Sequence, residues 1–262
     1  MRRWFIPGGL TLLVLALGCH REIEMVPLAE RTIYTTDRFY DVQALSRDRA
    51  FVVGYAGKIL ETTDGGMNWQ VRPSGVESAL YAACFGDEQH GWIAGQDGVM
   101  LRTEDGGKSW QKQEANAVFE DREGKVPLYL FGIHCLDKDR AFAVGDRWIL
   151  TSTTDGGKTW RARKVAMETD LSGGESIAAA DPIFYDVEFT DAQHGWIVGE
   201  FGKIMHSADG GETWNEQQKT LMEGTGIIDL LDLPTLYGVH IVNNQKGVAA
   251  GIEGHIARTS DG

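Results

Sequence analysis

The chain has 262 residues, a formal charge of −13 and 33 glycines. Such acidity argues against a nucleic-acid partner and for a well-hydrated surface. The glycine content stands well above the roughly 7% of average usage, as a chain with many tight turns requires, and fits an exported all-β protein.

The chain opens with an export signal. Arg2 and Arg3 form a positive start, and Leu10 to Leu17 form an apolar run far too short to span a bilayer. Gly18-Cys19 at its end resembles the lipobox of bacterial lipoproteins, which makes residues 1–18 the signal peptide and Cys19 the lipidated first residue after cleavage. The expected location is extracytoplasmic, on a membrane facing the periplasm, the cell exterior or the thylakoid lumen. Residues 19–38 read as a tether, within which Thr32-Ile33-Tyr34-Thr35 has the look of a strand able to complete a last blade.

Residues 39–262 are a repeat. A hydroxyl residue, any residue, Asp, two Gly, two variable positions and Trp recur as Thr62 to Trp69, Thr103 to Trp110, Thr153 to Trp160 and Ser207 to Trp214. A fifth copy, Thr259-Ser260-Asp261-Gly262, runs to the last residue. The turn residues are thus Asp64, Asp105, Asp155, Asp209 and Asp261, followed in four copies by Trp69, Trp110, Trp160 and Trp214. Asp-Gly-Gly is turn chemistry: the carboxylate accepts backbone N–H bonds, and Gly reaches the positive φ of a tight turn. The Trp then opens a strand and buries a large ring.

An aromatic residue stands 24 positions before each Asp: Tyr40, Tyr81, Phe131, Tyr185 and Tyr237. All length variation falls between each Trp and the next aromatic, at 12, 21, 25 and 23 residues. A constant unit beside a variable connection is a packed module with a free loop. Within the unit, Tyr40-Asp41-Val42-Gln43-Ala44 alternates with period two, as a strand does. A turn, a short apolar strand such as Trp196-Ile197-Val198-Gly199, a Gly-x-x-Gly hairpin and a third strand lead into the Asp turn. Trp148 replaces the second hairpin Gly in the third copy. Four antiparallel strands, repeated, predict an all-β propeller.

After Cys19 only Cys84 and Cys135 remain, three and four positions beyond their unit's aromatic. Adjacent columns of a strand point to opposite faces, so the expectation is two small buried thiols and no disulfide.

Strand direction places the Asp turns and the first–second turns at one end of the propeller. The long connections (Gln111 to Leu130, Arg161 to Phe184, Asn215 to Leu236) lie at the other. These carry Glu120, Asp121, Glu123, Glu168, Asp170, Glu175 and Asp181, and variable loops on a rigid scaffold commonly hold function. At the Asp-turn end, nine positions after each aromatic, stands a basic or potentially basic residue: Arg49, His90, Arg140, His194 and Lys246. A ring of such groups is a candidate partner-binding rim for anions or carboxylates. The competing expectation is that each side chain bonds carbonyls of its own turn.

The Asp turns are similar to the Asp-box (BNR) repeat. The fuller pattern, with His-Gly-Trp-x-x-Gly and Thr-x-Asp-Gly-Gly-x-Thr-Trp, resembles the propeller family of the photosystem II stability and assembly factor. The resemblance covers about residues 39–262. It implies seven blades where five units are visible, and hence an incomplete last blade and a truncated propeller. It further implies an exported, often lipid-anchored protein that binds partners without catalysis, and an arginine-rich contact patch, of which this chain's rim keeps only Arg49 and Arg140.

The expected function is therefore a monomeric, membrane-tethered protein-binding propeller, acting on a membrane complex under assembly. A glycan-binding or sialidase-like, glycoside-hydrolysing Asp-box propeller is the alternative. Against catalysis, no spacing singles out a carboxylate pair suited to glycoside hydrolysis. His134, His206, His240 and His255 lack ligand spacing, so neither a metal nor a cofactor is expected.

Overall fold

Each repeat folds as its alternation and turns dictate. The computed structural model describes residues 33–120, 122, 124–165, 182–217 and 232–262. The first blade is β1 (Phe39–Ala44), β2 (Ala50–Gly54), β3 (Ile59–Thr62) and β4 (Gln70–Arg72). The second is β5 (Leu80–Phe85), β6 (Gly91–Gly95), β7 (Val99–Thr103) and β8 (Gln111–Glu114). A hairpin of β9 (Val118–Glu120) and β10 (Lys125–Pro127) intervenes. The third blade is β11 (Leu130–Cys135), β12 (Ala141–Gly145), β13 (Ile149–Thr153) and β14 (Arg161–Lys164). The fourth is β15 (Phe184–Phe189), β16 (Gly195–Gly199), β17 (Ile204–Ser207) and β18 (Asn215–Glu216). The fifth sheet holds β19 (Leu236–Asn243), β20 (Lys246–Gly251) and β21 (Ile256–Thr259). Strands pair antiparallel in chain order within every sheet, and residues 33–262 form one unit.

The first strands of successive blades touch, which makes them the innermost strands of a propeller. Alternate residues of one strand feed the cores on either side of its sheet. Ile93 joins Phe51, Val53 and Leu80 between the first two blades. Its neighbours Trp92 and Ala94 join Leu130 and Ala143 between the second and third. Phe142, Val144, Phe184 and Ile197 fill the next junction, and Val198, Leu236 and Ala249 the last. With both faces covered, β6, β12 and β16 are buried throughout and read as continuous apolar runs, while β2 and β20 alternate.

Two expectations fail here. Cys84 and Cys135 are bonded to each other, with Cα atoms 5.5 Å apart. The column argument holds within one sheet but inverts between two. Neighbouring blades present opposite faces to their shared junction, so residues of opposite parity on β5 and β11 meet in the same core. Of the segment expected to complete a last blade, Thr32 to Thr35, the described residues 33–35 form no strand. Tyr34 N–H donates to Asp37 Oδ2 at 2.8 Å and Asp37 N–H to the Tyr34 carbonyl at 3.1 Å, a turn that Lys58 locks through Asp37 at 2.8 Å.

The five repeat aromatics share a local distortion. The register of each first strand slips at that residue: Leu80 faces Gly95 and Ala82 faces Ala94, leaving Tyr81 as the extra residue of a bulge. Tyr40, Phe131, Tyr185 and Tyr237 are the bulged residues of β1, β11, β15 and β19. A bulge re-aims the side chain it carries, and none of these rings belongs to a core between blades.

Candidate functional site

At one end, each Asp box closes on its own hydroxyl residue. Thr103 Oγ1 donates to Asp105 Oδ1 at 2.8 Å and accepts the Gly107 N–H at 2.7 Å. Asp105 Oδ1 in turn accepts the Ser109 N–H at 2.9 Å. The same pattern holds Asp64, Asp155 and Asp209. Bonds from Ser109 and Thr159 hold the carboxyls of Asp105 and Asp155 down at about 2, and Asp64 and Asp209 are lowered by the same kind of contact. Gly107 has φ +83 and its α-carbon faces the Phe51 ring so closely that a β-carbon would stand 2.4 Å from it. Only Gly fits there.

The first–second turn lies beside the Asp box of its own blade. Gly65, Gly106, Gly156, Gly210 and Gly262 donate their N–H to Asp48, Gln89, Asp139, Gln193 and Gln245. Junctions at this end are sewn by one polar side chain reaching forward to the next box. Arg49 donates to the Gly106 carbonyl, Arg163 to that of Gly211, and Gln217 to that of Gly262. Trp160 and Trp92 share Gln113 Oε1 across their junction, each at 3.1 Å. Arg163 and its neighbour Arg161 lie on β14, so the first residues of the connection expected from Arg161 belong to a strand. Trp160 is buried, whereas Trp69, in the first blade, keeps its edge in solvent and bonds the Gly66 carbonyl at 3.1 Å.

The basic residues of the rim all lie at this end, and most are committed. Arg49 pairs with Glu61, only 4% exposed, which Arg72 holds from the other side at 2.7 Å. His90, Arg140 and His194 each pair with the residue three positions earlier, Asp87, Asp137 and Asp191, at 2.9, 2.7 and 2.9 Å. The partners are carboxylates of the same turn, not its carbonyls. Those carboxyls are lowered by burial-opposed hydrogen bonds from the turn, so three of the five groups carry a nearby compensating charge. Lys246 stands exposed with no ion pair among the described residues. Sequence reasoning missed the Asp-x-x-basic spacing, which is plain in Asp87-Glu88-Gln89-His90.

A groove of about 690 Å³ lies between the fourth and fifth blades, lined by His194, Trp196, His206 and Asn244. His206, which the sequence leaves on its own, stacks on Trp196 at 4.5 Å and lies 6.2 Å from His194; burial, aided by His194, lowers its pKa. His134 is driven to about 4 by burial against Phe189, and His240 sits 3.3 Å from Glu188. No group of three or more His, Cys, Asp or Glu among the described residues is placed to hold a metal. Cys19 and the loop acids other than Glu120 lie outside the described residues.

At the opposite end stand the second–third turns, each tied to the residue two before the repeat aromatic: Gln96 N–H to Ala79, Asp146 to Tyr129, Glu200 to Ile183. In the second–third turn of the third blade Trp148 takes the glycine position at φ +62 and still buries its ring.

Comparison with known proteins bears on the family and the fold. Residues 21–119 and 174–230 match the model of the family described as photosynthesis system II assembly factor YCF48. The photosystem II stability/assembly factor HCF136 of the Guillardia theta chloroplast is 47% identical over 36 residues, 13% of this chain and 9% of that relative. A solved structure of YCF48 bound to D1 peptide is 18% identical, covering 87% of this chain and 93% of its own, at a TM-score of 0.41. An ancestral GH74 enzyme overlays with a TM-score of 0.60 at 14% identity, covering 86% of this chain and 30% of its own, a likeness of fold alone.

Proposed function

The chain belongs to the photosynthesis system II assembly factor YCF48 family, and from that premise we propose that it is a non-catalytic propeller that binds protein partners while a membrane complex is assembled. The observation that carries the reading is the family match, which takes in more than half of the chain, most of it within the repeats. Residues 1–18 act as an export signal, Cys19 carries the lipid, and the tether of residues 19–38 holds the propeller at the membrane surface. That arrangement restricts the search for a membrane-bound partner to a thin layer. Photosystem II is the complex the family description names, and this chain's partner is a subunit of such a complex. At the Asp-box end, Arg140 and Lys246 are the rim cations that can meet a partner's carboxylate without uncovering a buried acid; Arg49 is needed by Glu61.

The test is capture of partners by the tagged, full-length chain from solubilised membranes. Subunits of one membrane complex should co-purify, Cys19→Ala should release the chain from the membrane fraction, and Arg140→Glu with Lys246→Glu should weaken capture while the melting temperature holds. Turnover of fluorogenic glycosides, abolished by one loop carboxylate substitution, would replace this reading with the glycosidase alternative.

A further inference from the structure

The five bulged aromatics form a belt. Ring centroids are 5.2 Å apart from Tyr40 to Tyr81, 5.1 Å from Tyr81 to Phe131, 5.4 Å from Phe131 to Tyr185 and 4.9 Å from Tyr185 to Tyr237. Tyr129 leans on two of them, 6.2 Å from both Tyr81 and Phe131. Each aromatic stands near the start of a first strand, so the belt lies at the end away from the Asp boxes, around the inner strands. Its rings are half-buried at the centre and more exposed at the two ends.

Carboxylates edge this belt. Asp97 and Asp146 both act on Tyr81, and Glu200 and Asp146 on Tyr185; together with burial, the larger cause, they hold the Tyr185 hydroxyl up at about 12 and raise that of Tyr81. Further along the same inner strands stand Asp41, Asp186 and Glu188. Burial, with some added repulsion from Glu188 and Asp41, pushes Asp186 up to about 7, so the negative charge of this end rests on the turn acids, Asp97 and Glu200 among them. Among the described residues, the cations recorded at this end have partners of their own: Arg147 and Lys164 lie 4.1 and 5.7 Å from the Phe119 ring, Lys58 pairs with Asp37, and His240 is beside Glu188. The wall is thus aromatic, negatively charged and only partly covered.

We propose that this belt docks the cationic side chains of a basic, extended segment of a partner protein. Ring faces attract ammonium and guanidinium groups through their quadrupole, and more strongly where water is excluded. Acids along a concave wall focus the field that draws such groups in, and the overall charge of −13 favours approach from a distance. The bulges give a further reason: five strands each give up a regular ladder position to turn one ring into the same belt, although the cores between blades are filled without them. The inference rests on the reading of a protein-binding propeller and adds the place and the partner chemistry.

Fluorescence anisotropy with labelled hexa-arginine, hexaglutamate and hexaglycine peptides on the full-length chain tests it. Hexa-arginine alone should bind. Asp97→Asn with Glu200→Gln should weaken it about tenfold or more, because both changes remove charge and keep shape. Asn tolerates the φ of +57 at position 97, and Gln keeps an oxygen for the Ile183 N–H that Glu200 accepts. Tyr185→Leu should weaken binding as well, with unchanged binding in Glu104→Gln with Glu212→Gln at the Asp-box end. Absence of hexa-arginine binding, or equal losses from charge removal at the two ends, would overturn the proposal. Binding through the belt without capture of a membrane subunit would leave this proposal standing and remove the assembly reading.

Discussion

Protonating Asp105 or Asp155 weakens the bonds that hold its turn, and the direction of the resulting pH effect follows. Both carboxyls are lowered to about 2 in the folded chain, against roughly 3.9 when unfolded. A depressed folded value stabilises the fold fully above the unfolded value and loses that contribution as the pH falls through the folded one. Urea midpoints should therefore fall between pH 5 and pH 2.5, and Asp105→Asn with Asp155→Asn should reduce that difference; equal slopes in the two proteins would refute it. At this scale the sequence was readable wherever the chemistry is local. Asp-Gly-Gly announces its own turn because all its partners lie within four residues. The fate of the rim residues was equally local, and the Asp three positions before His90, Arg140 and His194 marks it. What residue types could not announce was Arg49, whose partners Glu61 and the Gly106 carbonyl come from another strand and another blade.

At the scale of elements, the Cys84–Cys135 bond is the feature the sequence pattern argued against. Parity along a strand tells which face a side chain takes, and only the arrangement of neighbouring sheets tells which faces meet. The bond closes a stretch with a sequence separation of 51, which for a loop of that size restricts the unfolded chain by roughly 2–4 kcal/mol. Denaturant unfolding with and without reductant should show a loss of that order, and Cys84→Ala with Cys135→Ala should match the reduced protein. Trp148 shows the converse case. The sequence marks it as the one break in the Gly-x-x-Gly series, and the structure keeps the backbone turn unchanged by holding the large residue at positive φ, with its ring in the core between the third and fourth blades. The failed strand at residues 33–35 was misread because β-branched and aromatic residues favour strands, while the Asp37 carboxylate that makes the turn lies just beyond them.

At the scale of the molecule, the architecture was legible because a fixed 24-residue interval and a variable connection repeat together. The aromatic at the head of that interval was visible too, but not its bulge, since register depends on the partner strand. The site was legible only as two opposite ends with different chemistry. One end offers basic groups, all but Lys246 beside a neighbouring acid, and the other offers rings edged by acids. A partner that uses both must present a carboxylate and a basic segment to opposite ends of the propeller's axis.

The junctions between blades differ greatly in thickness. Among the described residues, fourteen buried ones fill the junction that the disulfide also rivets, whereas three fill the one between the fourth and fifth blades. Pulled by its two termini in an optical trap, the propeller should tear first along that thin seam, shedding β19 to β21 as a separate step while the riveted pair holds to the last.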